Sequence, residues 1–261
     1  MMPSVGALIF FVVFFFFNAF ASDEVPKFNY LNPEKWGSLH PKYAACSKGK
    51  RQSPLNINTN EAVITESLQP LTRFYHIYNA SLSTDGIDVE IKFQGRGELI
   101  IDGKTYNLKQ MHWHTPSEHH FNGVQYASEL HQVHVADDGS RAVVAILYKY
   151  GPPDPVLTML KPQLEELAKK PCQGHETQVA IPKFESMFLN RRPRKYYRYP
   201  GSLTTPPCDE NVTWNIVCKV KTISEDQIEA LKAPLCEANR KRNARPIQPL
   251  NGRKVEAYAA N

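Results

Sequence analysis

The sequence predicts an α+β domain: a large, twisted, mostly antiparallel central sheet with short helices at its periphery. Three observations carry that expectation. Residues 81–150 read as a run of strands and turns, only two segments have helical spacing, and twenty prolines in 261 residues argue against an all-helical chain.

The elements follow in chain order. Ala7 to Phe17 is an unbroken apolar run, too short to span a bilayer, and Ala19-Phe20-Ala21 has the small-x-small form of a cleavage site. Residues 1–21 are therefore expected to be a secretory signal peptide, although no Lys or Arg precedes the apolar run. Residues 22–261 are expected to form one soluble domain, since no other stretch is long enough to cross a membrane. Residues 22 to about 50 look irregular. Asp88 to Phe93 alternates with period two, and Asp102-Gly103 between two apolar-polar stretches signals a hairpin. Ala142 to Tyr148 is a continuous apolar run of buried-strand type.

Two helices are expected. One covers about Asp154 to Lys170, with Leu157, Leu160, Leu164 and Leu167 at helical spacing. The other starts at Ser224, where Ser-Glu-Asp-Gln has capping-box form, and carries Ile228, Leu231 and Leu235.

The formal net charge is +5, with both signs mixed along the chain. The short basic run Arg191-Arg192-Pro193-Arg194-Lys195 reads as a solvated loop; no nucleic-acid motif accompanies it, so no nucleic-acid partner is expected. Export changes how the five cysteines read. None forms a C-x-x-C pair, an oxidising compartment favours disulfides, and an odd count leaves at least one thiol unpaired within the chain. Asn79 and Asn211 head N-x-S/T sequons, candidate glycan sites in that compartment.

Chemistry concentrates in residues 110–134, where most of the nine histidines lie. His112 and His114 stand two apart, so a strand puts them on one face. Residues 128 to 135 also have strand character, and there Glu129 and His131 share a face. Two histidines from one strand and a third from the next can converge on a metal. Three imidazoles leave the fourth position of a zinc ion open, the mark of a catalytic site. Structural or surface histidines would explain an isolated H-x-H as well.

The wider pattern resembles one family. Gln110-Met-His-Trp-His114, Ser117-Glu-His119 and Glu129-Leu-His-Gln-Val-His134 are similar to the metal-binding region of α-carbonic anhydrases. The resemblance extends to Arg51-Gln-Ser-Pro54, Tyr199 to Cys208, Val212-Thr-Trp214 and Asn243 to Leu250. It covers roughly Phe28 to Tyr258 and looks closest to plant members.

The resemblance implies the α-carbonic anhydrase fold, Zn2+ as cofactor, carbon dioxide and bicarbonate as substrate and product, and a secreted location. It implies His112, His114 and His131 as zinc ligands. Gln110 would hold His112, Glu129 would hold His131, and the main-chain carbonyl near Asn243 would hold His114. Thr204 would orient the reacting oxygen and Glu118 would accept from Thr204, while Thr205 would contact bicarbonate. Val133, Val143, Leu203, Val212 and Trp214 would form the apolar wall for carbon dioxide. His119 and His134 are read as structural. A disulfide between Cys46 and Cys208 is implied for secreted members, leaving Cys172, Cys218 and Cys236 unassigned. One position departs from the pattern: the proton-relay histidine that follows glycine in the fast enzymes is replaced by Ile87, which points to slow proton export. Some relatives keep this fold as storage or binding proteins with little activity, and that is the rival reading. Those usually lose a zinc histidine, whereas this chain keeps all three.

Overall fold

The computed structural model describes residues 25–95, 97–170, 172 and 175–260. The expected signal peptide, residues 1–21, lies outside the described residues.

A twelve-stranded sheet runs through the molecule. Ten strands form its main path: β1 (Val63–Ile64), β2 (Ile77–Thr84), β3 (Val89–Phe93), β4 (Lys104–His114), β5 (Ser128–Val135), β6 (Arg141–Tyr150), β7 (Thr177–Glu185), β8 (Lys195–Gly201), β9 (Val212–Ile223) and β10 (Glu256–Ala259). Their spatial order is β7-β2-β3-β4-β5-β6-β9-β8-β10-β1. Glu98–Ile101 pairs with β4 and, on its other side, with Thr72–Phe74. The sheet is mostly antiparallel, as expected; β6 with β9 and β10 with β1 pair parallel. The hairpin between Glu98–Ile101 and β4 turns at Asp102 and Gly103, both at positive φ (50° and 79°), the conformation that the Asp-Gly pair supplies at low cost.

Strand β6 explains its own continuous apolar run. Val144, Ile146 and Tyr148 face one core, Val143, Ala145 and Leu147 the other, so both sides of the strand are buried. The first core is roofed by Leu157, Leu160, Leu164 and Leu167 and by Ile228, Leu231 and Leu235. The second core lies on the face that carries the histidines.

One expected helix is broken in two. Pro155–Met159 and Lys161–Ala168 are separate, with Leu160 between them at ψ −2°. Pro162 has no N–H to continue the ladder, and its ring crowds the carbonyl one turn back. The four leucines are nonetheless all buried in the same core. Asp154 caps the first piece by accepting from the N–H groups of Val156 and Leu157. The second expected helix forms at Glu225–Lys232, with the capping box of Ser224 and Gln227 complete. Arg191, Arg192 and Arg194 are exposed in the loop before β8, as expected of the basic run.

Two disulfides are present. Cys46 joins Cys208 across 162 residues, and Cys172 joins Cys236. Cys218 is the free thiol. The first bond ties the short helix Ala45–Lys48, packed among Tyr30, Trp36 and Tyr43, to the loop after β8. Cys208 itself sits at φ +62°, fixed by its N–H to the Thr205 carbonyl and by Gln52 Nε2 donating to its carbonyl. Replacing both Cys46 and Cys208 by alanine should lower unfolding stability by about 2 kcal/mol, the low end of the range of about 2–5 kcal/mol for native bridges, because this core is large. Denaturant unfolding of the double variant against the parent measures it; an unchanged midpoint and slope would refute a stabilising role.

Candidate metal centre

Strands β4 and β5 lie side by side at the middle of the sheet, and their register builds the site. His112 is opposite His131 and His114 is opposite Glu129. Gln110 is opposite Val133, so the next row on the same face begins with a ligand-holding amide and continues into apolar wall. A register shift follows between Val133 and His134. His134 faces the other core, where its Nε2 is 2.6 Å from the Tyr75 hydroxyl and its Nδ1 is 3.2 Å from the Ala142 carbonyl. It is structural, as read from the sequence.

The three predicted ligands converge. His112, His114 and His131 are buried, and one ring nitrogen from each lies within 4.8 Å of the other two. His112 Nε2 is 3.0 Å from His114 Nε2 and 3.2 Å from His131 Nδ1. The outward nitrogens are all engaged by acceptors. His112 Nδ1 is 2.7 Å from Gln110 Oε1, His114 Nδ1 is 2.6 Å from the Asn243 carbonyl, and His131 Nε2 is 2.8 Å from Glu129 Oε1.

This arrangement dictates the tautomers. An outward nitrogen facing a carbonyl or carboxylate oxygen carries the hydrogen, so the inward nitrogen of each neutral ring bears a lone pair. Three lone pairs then face one another at van der Waals distance or less, which is repulsive unless a cation sits among them. Tetrahedral zinc with bonds of about 2.0–2.1 Å separates its nitrogen ligands by about 3.3–3.4 Å, close to what is seen. His131 presents Nδ1 and the other two present Nε2. Burial drives His112 well below the ordinary imidazole range, with His114 and His131 adding to it. Burial also lowers His114, against the opposing pull of Glu118. Neutral imidazole is the ligand form.

Glu129 is the hub of the support. Oε1 also meets His119 Nδ1 at 2.6 Å, and Oε2 accepts the N–H groups of Glu118 and His119 at 2.9 and 2.7 Å. Burial pushes its carboxyl up, but the electrostatic pull of the neighbouring His119 and His131 and their hydrogen bonds outweigh that and hold it well below the usual carboxylate range. His119 Nε2 in turn lies 2.6 Å from the Tyr199 hydroxyl, itself 3.0 Å from Ser53 Oγ.

Glu118 Oε1 accepts the Arg245 N–H at 2.8 Å. Its other oxygen, Oε2, is buried with no hydrogen-bond partner, 3.5 Å from His114 Nε2 and 4.0 Å from His131 Nε2. The hydrogen bond expected from Thr204 is thus not formed; Oε2 faces the imidazoles. A buried carboxylate oxygen without a donor costs free energy, and beside three lone pairs it strengthens the demand for a cation. Thr204 is buried in the loop after β8. Thr205 lines a cavity of about 280 Å³ together with Gln110, Ile87, Asp88 and Glu90.

The predicted wall is contiguous. Val133 pairs with Val143, and Val143 with Trp214, one row across three strands. Val143, Val212 and Trp214 are buried, and Val133 and Leu203 pack against them in the same apolar cluster. The Trp214 ring lies 4.8 Å from that of His131 and is held by its Nε1 donating to the Ser202 carbonyl.

Sequence reasoning missed several supports. Arg245 carries Glu118 on its backbone, while its buried guanidinium donates to Gln52, to the Ser53 carbonyl and to the Cys46 carbonyl. The Asn243 side chain accepts from the Thr115 N–H and donates to the carbonyls of Ile87 and Trp113. The motifs Arg51-Gln-Ser-Pro54 and Asn243-Ala-Arg245 contained these residues; their long-range pairing had no signal in the sequence. Of the two sequons, Asn79 and Asn211 are both exposed, and Asn211 Oδ1 accepts from Arg141.

The sequence profile of eukaryotic-type carbonic anhydrases matches residues 31–259. The chain belongs to that family. Alpha carbonic anhydrase 7 of Arabidopsis thaliana is 40% identical over 238 residues, 89% of this chain and 85% of that protein. A solved structure of dioscorin complexed with ascorbate matches with a TM-score of 0.84 at 36% identity, covering 90% of this chain and 99% of that one. The α-carbonic anhydrase of Thermovibrio ammonificans, in complex with the inhibitor sulfanilamide, matches with a TM-score of 0.76 at 36% identity, covering 86% and 94%. The family's fold is therefore the fold of this chain, and its donor set, with three buried imidazoles and an unsatisfied carboxylate oxygen, fits a zinc ion.

Proposed function

We propose that this protein catalyses the reversible hydration of carbon dioxide to bicarbonate and a proton, with one zinc ion held by His112, His114 and His131. The convergence of three inward lone pairs, each ring fixed from behind by its own acceptor, carries this reading. Zinc held there would supply water that is acidic near pH 7, a magnitude established for carbonic anhydrases as a class.

The chain's own residues do the rest. Gln110, Glu129 and the Asn243 carbonyl set ring orientation and raise ligand basicity. For Thr204 to accept a hydrogen bond from the reacting oxygen and turn that oxygen's remaining lone pair toward carbon dioxide, its own hydroxyl would have to donate to the open oxygen of Glu118, a bond not formed in the structure as it stands; the gain would be one of orientation. Val133, Val143, Leu203, Val212 and Trp214 hold the apolar gas where donors would have little to grip, and Thr205 meets the product anion. Two disulfides and the expected signal peptide support secretion or a secretory-pathway lumen as its place, where Asn79 and Asn211 are open to glycan transfer. Among the described residues no helix is long and apolar enough to cross a membrane.

The rival is a storage or binding protein on the same fold, and the likeness to dioscorin is what favours it. Metal analysis and stopped-flow hydration on the purified protein separate the two. About one zinc per chain and hydration well above the buffer background are expected. Zinc-replete protein at background rate would overturn the enzyme reading in favour of the rival.

A further inference from the structure

The cavity of about 280 Å³ beside the metal centre is lined by Gln110, which holds His112, by Thr205, and by Asp85, Ile87, Asp88, Glu90, Lys92 and Glu176, of which Asp85 and Glu176 are exposed. No imidazole lines it. His40 and His76, the other histidines considered from the sequence, are not among its walls. We propose that Asp88 carries the proton out of this cavity. The proposal rests on the hydration reading and adds to it the residue that links the buried site to solvent.

Position comes first. Asp88 directly precedes β3, and its carbonyl accepts Thr84 Oγ1 at 2.5 Å. The turn before it is pinned from several sides: Gly86 N–H donates to Thr84 Oγ1, and the Gly86 carbonyl accepts Asn239 Nδ2 and the Cys236 N–H. Gly86 also packs against the second disulfide so closely that a Cβ there would lie 2.2 Å from Cys236 Sγ. The Asp88 side chain is half-buried on the cavity wall. Among the described residues its carboxylate has no ion pair and no hydrogen bond, so it is free to take and give a proton. Glu90 is less available, because Lys92 Nζ lies 3.2 Å from its carboxylate and 2.6 Å from that of Glu176.

Electrostatics point the same way. The charged groups around Asp88 are Asp85 in its own turn, Glu90 and Lys92 on β3, and Glu118 from the metal site. Burial raises the Asp88 carboxyl, Glu90, Asp85 and Glu118 raise it further, Lys92 opposes them, and the net result lies well above the usual carboxylate range. An ordinary aspartate near 3.9 would be a poor partner for an acid of pKa about 7; a raised one narrows the uphill step.

The proton balance is simple. Carbon dioxide and water give bicarbonate and one proton per turn. That proton passes along water in the cavity to the Asp88 carboxylate, which becomes the neutral acid and then loses it to buffer outside. Hydration at saturating carbon dioxide therefore needs Asp88 ionised and rises with pH through its pKa, and dehydration needs it protonated.

The test uses the zinc-loaded protein. Asp88→Asn should lower kcat in dilute buffer about tenfold, leave kcat/KM unchanged, and recover with added imidazole; Asp88→Glu should retain most of the parent's kcat. Carbon-13 carboxyl NMR, on metal-free and zinc-loaded protein, should show an aspartate signal titrating above the usual range and missing in Asp88→Asn. Unchanged kcat in dilute buffer for Asp88→Asn, or an Asp88 signal titrating at the ordinary value, would overturn the relay alone. A parent protein that binds zinc and hydrates nothing would overturn the reading of the preceding section, and the relay with it.

Discussion

His114→Ala should bring carbon dioxide hydration down to the buffer background while leaving the protein folded. His114 is the most enclosed of the three rings: it is fully buried, fixed by the Asn243 carbonyl and 3.5 Å from Glu118. Removing it leaves two imidazoles, too few for a tight zinc site, with the Glu118 carboxylate the nearest remaining oxygen donor. Loss of metal should therefore match loss of activity. The fold survives because the backbone ladder between β4 and β5 does not depend on that side chain and the imidazole is small beside the two cores flanking the sheet. Circular dichroism and thermal melting report the fold, and metal analysis the zinc. Full hydration in a His114→Ala protein shown to be intact would remove His114 from the ligand set. A partial counterpart is expected at Gln110: Gln110→Ala frees His112 Nδ1 and should cut zinc affinity by about 10–100-fold, read by competition with a chelator.

How much of this was legible depended on whether the information was local. The shared faces were legible because strand geometry is periodic: residues two apart point the same way, so His112 with His114, and Glu129 with His131, follow from spacing, while reading the three histidines as a ligand set needed the resemblance to α-carbonic anhydrases. The hairpin at Asp102-Gly103 and the capping box at Ser224 were legible for the same reason, each being a short motif with its own backbone requirement. What was not legible is set by contacts far apart in sequence. Arg245 reaches Glu118, Gln52, Ser53 and Cys46 across separations of 127 to 199 residues. The pairing of Cys172 with Cys236, packed against Gly86, was likewise not legible, because three leftover cysteines could not name it. Helix length was misjudged at Pro162, where apolar spacing continued through a residue that the backbone could not accommodate. Glu118 was assigned a partner that the structure does not supply, because a motif specifies residues and not rotamers.

Ile87→His should raise kcat in dilute buffer by one to three orders of magnitude and leave kcat/KM nearly unchanged. The reasoning is kinetic. A reacting water of pKa about 7 regains its proton no faster than diffusion, roughly 10¹⁰ M⁻¹s⁻¹, so it releases the proton to bare water at no more than about 10³ s⁻¹. Carbonic anhydrases as a class reach about 10⁶ s⁻¹, which requires a carrier that titrates near the working pH. Isoleucine cannot be one. The position suits the substitution: Ile87 lines the cavity on one side and packs against the cluster of Tyr30, Trp36, Tyr43, Cys46 and Cys208 on the other, so an imidazole there would face the water path. Losing the apolar contact should cost about 1 kcal/mol of stability, visible in denaturant unfolding but too small to unfold the protein. Carbon dioxide attack precedes proton export, so kcat/KM stays put. The size of the rise also measures what Asp88 already contributes: the more proton export the aspartate carries, the higher the parent's rate above about 10³ s⁻¹ and the smaller the gain. Combining Ile87→His with Asp88→Asn separates the two, since the histidine should restore kcat whether or not the aspartate is present. A parent protein whose fast turnover is indifferent to buffer, to Ile87→His and to Asp88→Asn would show that another group exports the proton.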